Sequence, residues 1–189
     1  MEYLDNLGQK AVAAKYVLQK LTTEEKNRAL RAAAAALTDR AERILEANRQ
    51  DYGTAEANGM SAGLLDRLKL TEQRIHSMAE GLLQIAELED PVGTVMESFK
   101  RPNGLQIDKV RVPMGVIGII YEARPNVTAD AFGLCFKAGN AVILKGGRDA
   151  ACSNAAITQV IREALAAQDI PADAVQLIED NDRAVTTAF

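Results

Sequence analysis

Lys145-Gly146-Gly147-Arg148 packs two cations and two glycines into four residues, directly after the apolar run Ala141–Leu144. Glycines let a backbone approach a ligand closely, and a helix opening beyond them offers unpaired N–H groups to an anion. In open α/β sheets, ligands sit at the carboxyl ends of strands, where this segment falls. The chemistry is therefore anion binding, unless the residues simply form a basic turn. Tyr121-Glu-Ala-Arg-Pro-Asn-Val-Thr128 is the matching loop after the preceding apolar run. Its Glu122, Arg124 and Asn126 offer a carboxylate, a guanidinium and an amide to a small polar ligand. The plainer reading is a helix start, with Asn126 as N-cap, Pro125 stiffening the turn, and Glu122 and Arg124 solvated. The G-x-G-x-x-G fingerprint of dinucleotide folds is absent, because Gly115 and Gly118 fall within a strand.

Nucleophiles are scarce. Cys152 falls in the first turn of a helix, where the helix dipole lowers a thiol's pKa. Cys135 lies in the apolar run Ala131–Ala138, as a small core residue. Both read as structural. One histidine, His76, sits mid-helix beside an apolar stripe, and two cysteines show no metal spacing. Acid pairs such as Glu24-Glu25 and Glu89-Asp90 read as solvated helix ends.

Helices dominate residues 1–90. Leu4, Leu7, Ala11, Ala14, Leu18 and Leu21 recur at spacings of three and four, one apolar stripe. Thr22 and Glu25 have the spacing of a capping box and open a second helix through Leu37. A third spans about 39–58, stopped by Gly59. A fourth, opened by Thr71, carries Ile75, Met78, Ala79, Leu82, Ile85 and Ala86 on one face. Residues 91–112 read as a β-hairpin turning at Arg101-Pro-Asn-Gly104, with a bulge near Asp108. Residues 113–189 then read as βαβαβ. Gly115–Tyr121, Ala141–Lys145 and Ala174–Ile178 are the parallel strands, the first covered on both faces. The fold class is thus α/β: a helical layer, a hairpin, and a partial Rossmann-like parallel sheet.

Composition agrees. Hydrophobic residues are 48% and charged residues 25% of 189, ordinary globular values. The net charge of −4 predicts no nucleic-acid partner. Residues 91–153 nevertheless hold eight Lys/Arg against five Asp/Glu, which suits a small anion. No apolar run reaches the roughly 18 residues of a membrane span. The N-terminus lacks a signal core, so the expectation is a cytoplasmic protein.

Gly115-Val-Ile-Gly-Ile-Ile-Tyr-Glu-Ala-Arg-Pro-Asn-Val-Thr128 and Gly139-Asn-Ala-Val-Ile-Leu-Lys-Gly-Gly147 closely resemble the gamma-glutamyl phosphate reductase (glutamate-5-semialdehyde dehydrogenase) family of the aldehyde dehydrogenase superfamily. Asn48-Arg-Gln-Asp51, Asn58–Ser61, Leu64–Leu68 and Asp90–Gly93 extend the likeness. The resemblance implies reduction of gamma-glutamyl phosphate by NADPH to glutamate 5-semialdehyde and phosphate, in proline synthesis. In that family a cysteine thiolate attacks the acyl phosphate, and the thioester takes hydride from the nicotinamide. Neither Cys135 nor Cys152 matches that cysteine's motif.

Lys145 matches the lysine that holds the adenosine ribose in aldehyde dehydrogenases. The resemblance places NADP(H) against Lys145, Gly146, Gly147, Arg148, Tyr121 and Glu122. Arg148 stands where many NAD-using relatives carry a glutamate. A glutamate repels a 2′-phosphate, whereas arginine binds one bidentately, which predicts NADP. Asn126 resembles the superfamily's oxyanion asparagine, about two places late, and Arg124 is then the partner for an anionic part of the substrate. The hairpin is expected to join a homo-oligomer contact, as in the superfamily. Three strands followed by Arg183–Phe189, inside the next helix, predict a truncated enzyme. Its catalytic domain lies outside this chain, which alone should not turn over. The rival readings are a non-catalytic nucleotide-binding module and a helical assembly domain from another aldehyde dehydrogenase-like protein.

Overall fold

The computed structural model describes residues 2–122, 124–180 and 182–189. Five helices precede the first strand: α1 (Glu2–Leu18), α2 (Thr23–Asp39), α3 (Ala41–Ala57), α4 (Ala62–Leu68) and α5 (Glu72–Glu87). Periodicity finds four of them; seven residues of α4 are too short to show a period. The capping box at α2 is closed from both sides: the Thr22 hydroxyl accepts from the Glu25 N–H at 3.2 Å, and the Glu25 carboxylate from the Thr22 N–H at 2.7 Å. The buried residues of α5 are the six that its stripe predicts. α3 stops before Gly59, whose φ of +76° suits glycine.

The hairpin pairs β1 (Val95–Lys100) with β2 (Gln106–Val110), antiparallel. Asp108 sits in register opposite Ser98, so the expected bulge is not there; the irregularity is between Val95 and Glu97. Every residue of β1 is exposed. Beyond it, β3 (Val116–Ile120), β4 (Ala141–Lys145) and β5 (Val175–Leu177) form a parallel sheet in the order β3-β4-β5. α6 (Asn126–Lys137) and α7 (Ala151–Ala166) are the crossovers, and α8 spans Arg183–Ala188. α1 packs on one face of the sheet, α6 and α7 on the other, and α2, α3 and α5 lie over those two helices. Sandwiched in this way, β4 is buried at every residue. β3 corrects the sequence reading: as an edge strand it is only half covered, and Ile120 is 60% exposed. One apolar core runs from Ala11 to Ile178 through all these layers.

Two buried polar clusters fix the layers. Asp51, on α3, accepts from the N–H of Cys152 at 3.1 Å and from the N–H and hydroxyl of Ser153 at 2.7 and 2.6 Å. It therefore caps α7 from outside. Asn48, one turn earlier, donates to Ser153 Oγ and the Leu68 carbonyl and accepts from the Leu70 N–H. The second cluster joins α2 to the end of α5. Buried Lys26 pairs with Asp90 and donates to the Lys137 carbonyl. Lys137 donates to Asn27 Oδ1 at 2.6 Å and the Ala86 carbonyl at 2.9 Å. Asp90 is thus no solvated helix end. Burial acts to raise its carboxyl pKa, but hydrogen bonds from Lys26, the Val92 amide and Thr23 outweigh it and hold the group below the usual value.

Asp51→Ala should cost about 2 kcal/mol, since it strands two amides and a hydroxyl at the start of α7; urea unfolding measures this. Asp90→Asn leaves the Lys26 charge buried without its counter-ion, at a cost of about 3 kcal/mol. The depressed Asp90 pKa adds a pH signature. Its stabilisation is full above the unfolded carboxyl's pKa, about 4, and is lost as pH falls through the lower folded value. Melting curves from neutral to acid pH should show that loss in the parent chain and less of it in Asp90→Asn.

Candidate functional site

β3 and β4 end side by side, with Ile120 in register with Lys145, so the loops 121–125 and 146–150 emerge together. Three cavities follow one another along this edge. A slot of about 210 Å3 lies between the start of α7 and the end of β5, lined by Gly147, Ala151, Cys152, Ala155, Leu177 and Ile178. A second, of about 290 Å3, shares Gly147 with it and adds Glu122, Arg124, Asp149 and Arg67. The third, of about 360 Å3, shares Arg67 and Arg124 with the second. It reaches Asn126 and Asp130 on α6 and the α4–α5 connection.

A relay of side chains locks the two loops. The Tyr121 and Thr128 hydroxyls are 2.7 Å apart, and Thr128 Oγ1 donates to Asn154 Oδ1 at 3.1 Å. A Cβ at position 146 would lie 2.1 Å from Asn154 Nδ2 and 3.1 Å from Tyr121 Cζ. Gly146 is therefore demanded by the protein's own packing. Burial pushes the Tyr121 phenol up to about 12, although Thr128 opposes the shift, so Tyr121 serves as a neutral wall.

Lys145 is buried at the end of β4, donating to the Gly146 carbonyl at 3.2 Å. Burial lowers its pKa, the nearby Asp180 carboxylate opposes that, and Arg148 adds to the lowering. Arg148 is exposed in the short 3-10 turn Arg148–Ala150, directly after Gly147, which lines the slot. The helix beyond does not offer the open amides that the sequence suggests, because Asp51 already accepts from Cys152 and Ser153. Any attraction for an anion here would have to come from side chains.

Asn126 is not an N-cap: it is the first residue of α6, after Pro125, and its amide donates a long 3.4 Å bond to Asp130. Arg124 and Glu122 are exposed at the cavity mouth, while Ala123 lies outside the described residues. The loop-124 and loop-148 arginines thus border one edge, with Tyr121 buttressing from behind. Neither cysteine is primed. Burial raises Cys135 to about 11. Cys152 is also raised, by burial and then by Asp51, against the direction that the helix dipole suggests. His76 is exposed and faces Glu80 on its own helix.

Sequence reasoning missed Arg67, Arg74 and Asp130, which line the third cavity, and Asp51 behind the second loop. Leu64-Leu-Asp-Arg-Leu68 and Asn48–Asp51 stand out in the sequence as family-like, and that was the available signal. Among the described residues no group of His, Cys, Asp and Glu could hold a metal ion, and no helix is long and apolar enough to cross a membrane.

The aldehyde dehydrogenase family profile matches residues 2–189. The chain is 57% identical over 176 residues to the gamma-glutamyl phosphate reductase of Caldanaerobacter subterraneus, covering 93% of this chain and 42% of that protein. It is 54% identical over 183 residues to that of Brucella suis, covering 97% and 44%. Among solved structures, gamma-glutamyl phosphate reductase from Thermotoga maritima superposes with a TM-score of 0.96 at 45% identity, covering 98% of this chain and 45% of that one. A probable aldehyde dehydrogenase from Listeria monocytogenes shares the fold, with a TM-score of 0.73 at 16% identity, covering 98% and 38%. The chain thus spans less than half the length of the relatives it matches. With its whole described length matched, the chain belongs to the aldehyde dehydrogenase family.

Proposed function

We propose that the chain is the cofactor-binding part of a cytoplasmic, NADPH-dependent gamma-glutamyl phosphate reductase of proline synthesis. The observation that carries this reading is the strand end of β4. There Lys145 and Arg148 lie on either side, in sequence, of Gly146 and Gly147, which line a mostly apolar slot at the edge of a parallel sheet. The residues fit an adenosine 2′-phosphate. Ala155, Leu177 and Ile178 would cover a base, Lys145 the ribose, and Arg148 the 2′-phosphate. Gly146 and Gly147 keep the backbone low beside them. Tyr121 holds the loop up from beneath, and Glu122 stands at the mouth of the next cavity.

Bound NADPH would supply the hydride. Asn126, at the start of α6, would donate its amide to the oxygen of the reacting acyl group. Arg124 would bind an anionic part of gamma-glutamyl phosphate. The reactive thiol would come from elsewhere in the enzyme: neither cysteine here matches the family's motif, and burial shifts both toward the neutral form. The hairpin, whose first strand is exposed throughout and bears Val95, Met96 and Phe99, would bind a second copy, because a lone two-stranded ribbon is marginal in water.

Titration of the purified chain with 2′,5′-ADP and 5′-AMP tests the cofactor. A charge-assisted contact is worth roughly 1.5–3 kcal/mol, so the 2′-phosphate ligand should bind about 10- to 150-fold tighter, and Arg148→Glu should abolish the preference. Equal binding by a folded sample overturns the Arg148 assignment. For the partner, sedimentation velocity should show a dimer or larger species that shifts toward monomer in the double variant Met96→Ser, Phe99→Ser.

A further inference from the structure

The third cavity carries charges of both signs, and they are unevenly matched. Arg74 is spent on the protein: it donates to the Asp66 and Lys69 carbonyls and pairs with the Asp66 carboxylate at 3.0 Å. That bracing closes the loop between α4 and α5 and neutralises Asp66. Four charged groups on the walls remain without an ion pair among the described residues, Arg67 and Lys69 (whose ammonium lies over the Tyr52 ring) beside Arg124 and Asp130. The Arg124 guanidinium makes no ion pair, and the Asp130 carboxylate is met only by the neutral Asn126 amide at 3.4 Å. Asp130 is half-buried on α6 and lies against α5, where a Cβ added at Gly81 would be 3.6 Å from its Oδ1. Burial acts to raise its pKa, and Asn126 only partly opposes this. A half-buried carboxylate that lacks a cation is costly unless something supplies one.

A ligand that carries an ammonium and a carboxylate on one carbon answers both needs at once. We propose that this cavity receives an α-amino-acid head group: Asp130 accepts from the ammonium, and Arg124 binds the α-carboxylate. Asp130 is then the specificity-determining residue that distinguishes an amino-acid acyl donor from a plain dicarboxylic one. Asn126, one turn before it on α6, faces the same cavity and stands next to the bound chain. The assignment deepens the reductase reading and rests on it, but it concerns a different cavity from the nucleotide slot.

L-Glutamate 5-methyl ester, which has the head group and an uncharged acyl end, is the probe. Monomethyl glutarate is the same ligand without the ammonium. NMR titration of the chain should show the ester binding about 10-fold or more tightly than the glutarate. Asp130→Asn should bring that ratio to near one while leaving glutarate affinity and 2′,5′-ADP affinity unchanged. Asp130→Glu, which keeps the charge, should restore part of it. A purely structural role for Asp130 would weaken both ligands alike. A ratio near one in the parent chain, no binding of the ester, or a ratio that survives in Asp130→Asn overturns the proposal. Because 2′,5′-ADP is read separately, loss of its preference with the ester ratio intact would sink the cofactor reading alone.

Discussion

The carboxylate of Asp51 governs the geometry of the sheet edge where β3 and β4 end. Three hydrogen bonds to Cys152 and Ser153 anchor the first turn of α7 to α3, and Asn48 ties the same serine to the segment leading into α5. α7 is the helix whose start defines the slot, so the N-terminal helices set the position of a loop some hundred residues later. A carboxylate at a helix N-terminus is favourable in its own right. It also means that the fixed positive end of α7 is already satisfied by an internal anion. In the proposed site, selectivity among ligands would therefore be left to the side-chain charges of Lys145 and Arg148.

Regular elements were legible because their signals are local. The Thr22–Glu25 box, the six-residue stripe of α5, the all-apolar β4 and the Gly59 stop each need only a few neighbouring residues to be read. What escaped was either short or distant. α4 has fewer than two full turns' worth of stripe, and the Arg124–Arg67 wall joins residues 57 positions apart. Asp90 looked like one more acid at a helix end, yet its partner Lys26 is on another helix. The same limit explains β3. An apolar run signals burial, but which faces are covered depends on the sheet order, and β3 lies at an edge.

The site was half legible for the same reason. The resemblance and the strand-end rule both point to Lys145 and Arg148. No spacing rule could reveal that the amides behind them are occupied, or that Gly146 makes room for Asn154. The third cavity depends on α4, α5 and α6 meeting, so its residues are dispersed over Asp66–Asp130 with no motif to join them. Its two signs of charge become meaningful only when the pairs already made inside the protein are subtracted.

Gly146 also bears on motion. The loop after β3 and the loop after β4 are coupled through Tyr121, Thr128 and Asn154, with no slack where the Asn154 amide meets the glycine. Two loops joined in this way behave as one stiff rim. Displacing one drags the other, and the cavities they border keep a constant separation. In the reading proposed above, a rim of this kind would keep the spacing of two bound ligands fixed before either arrives.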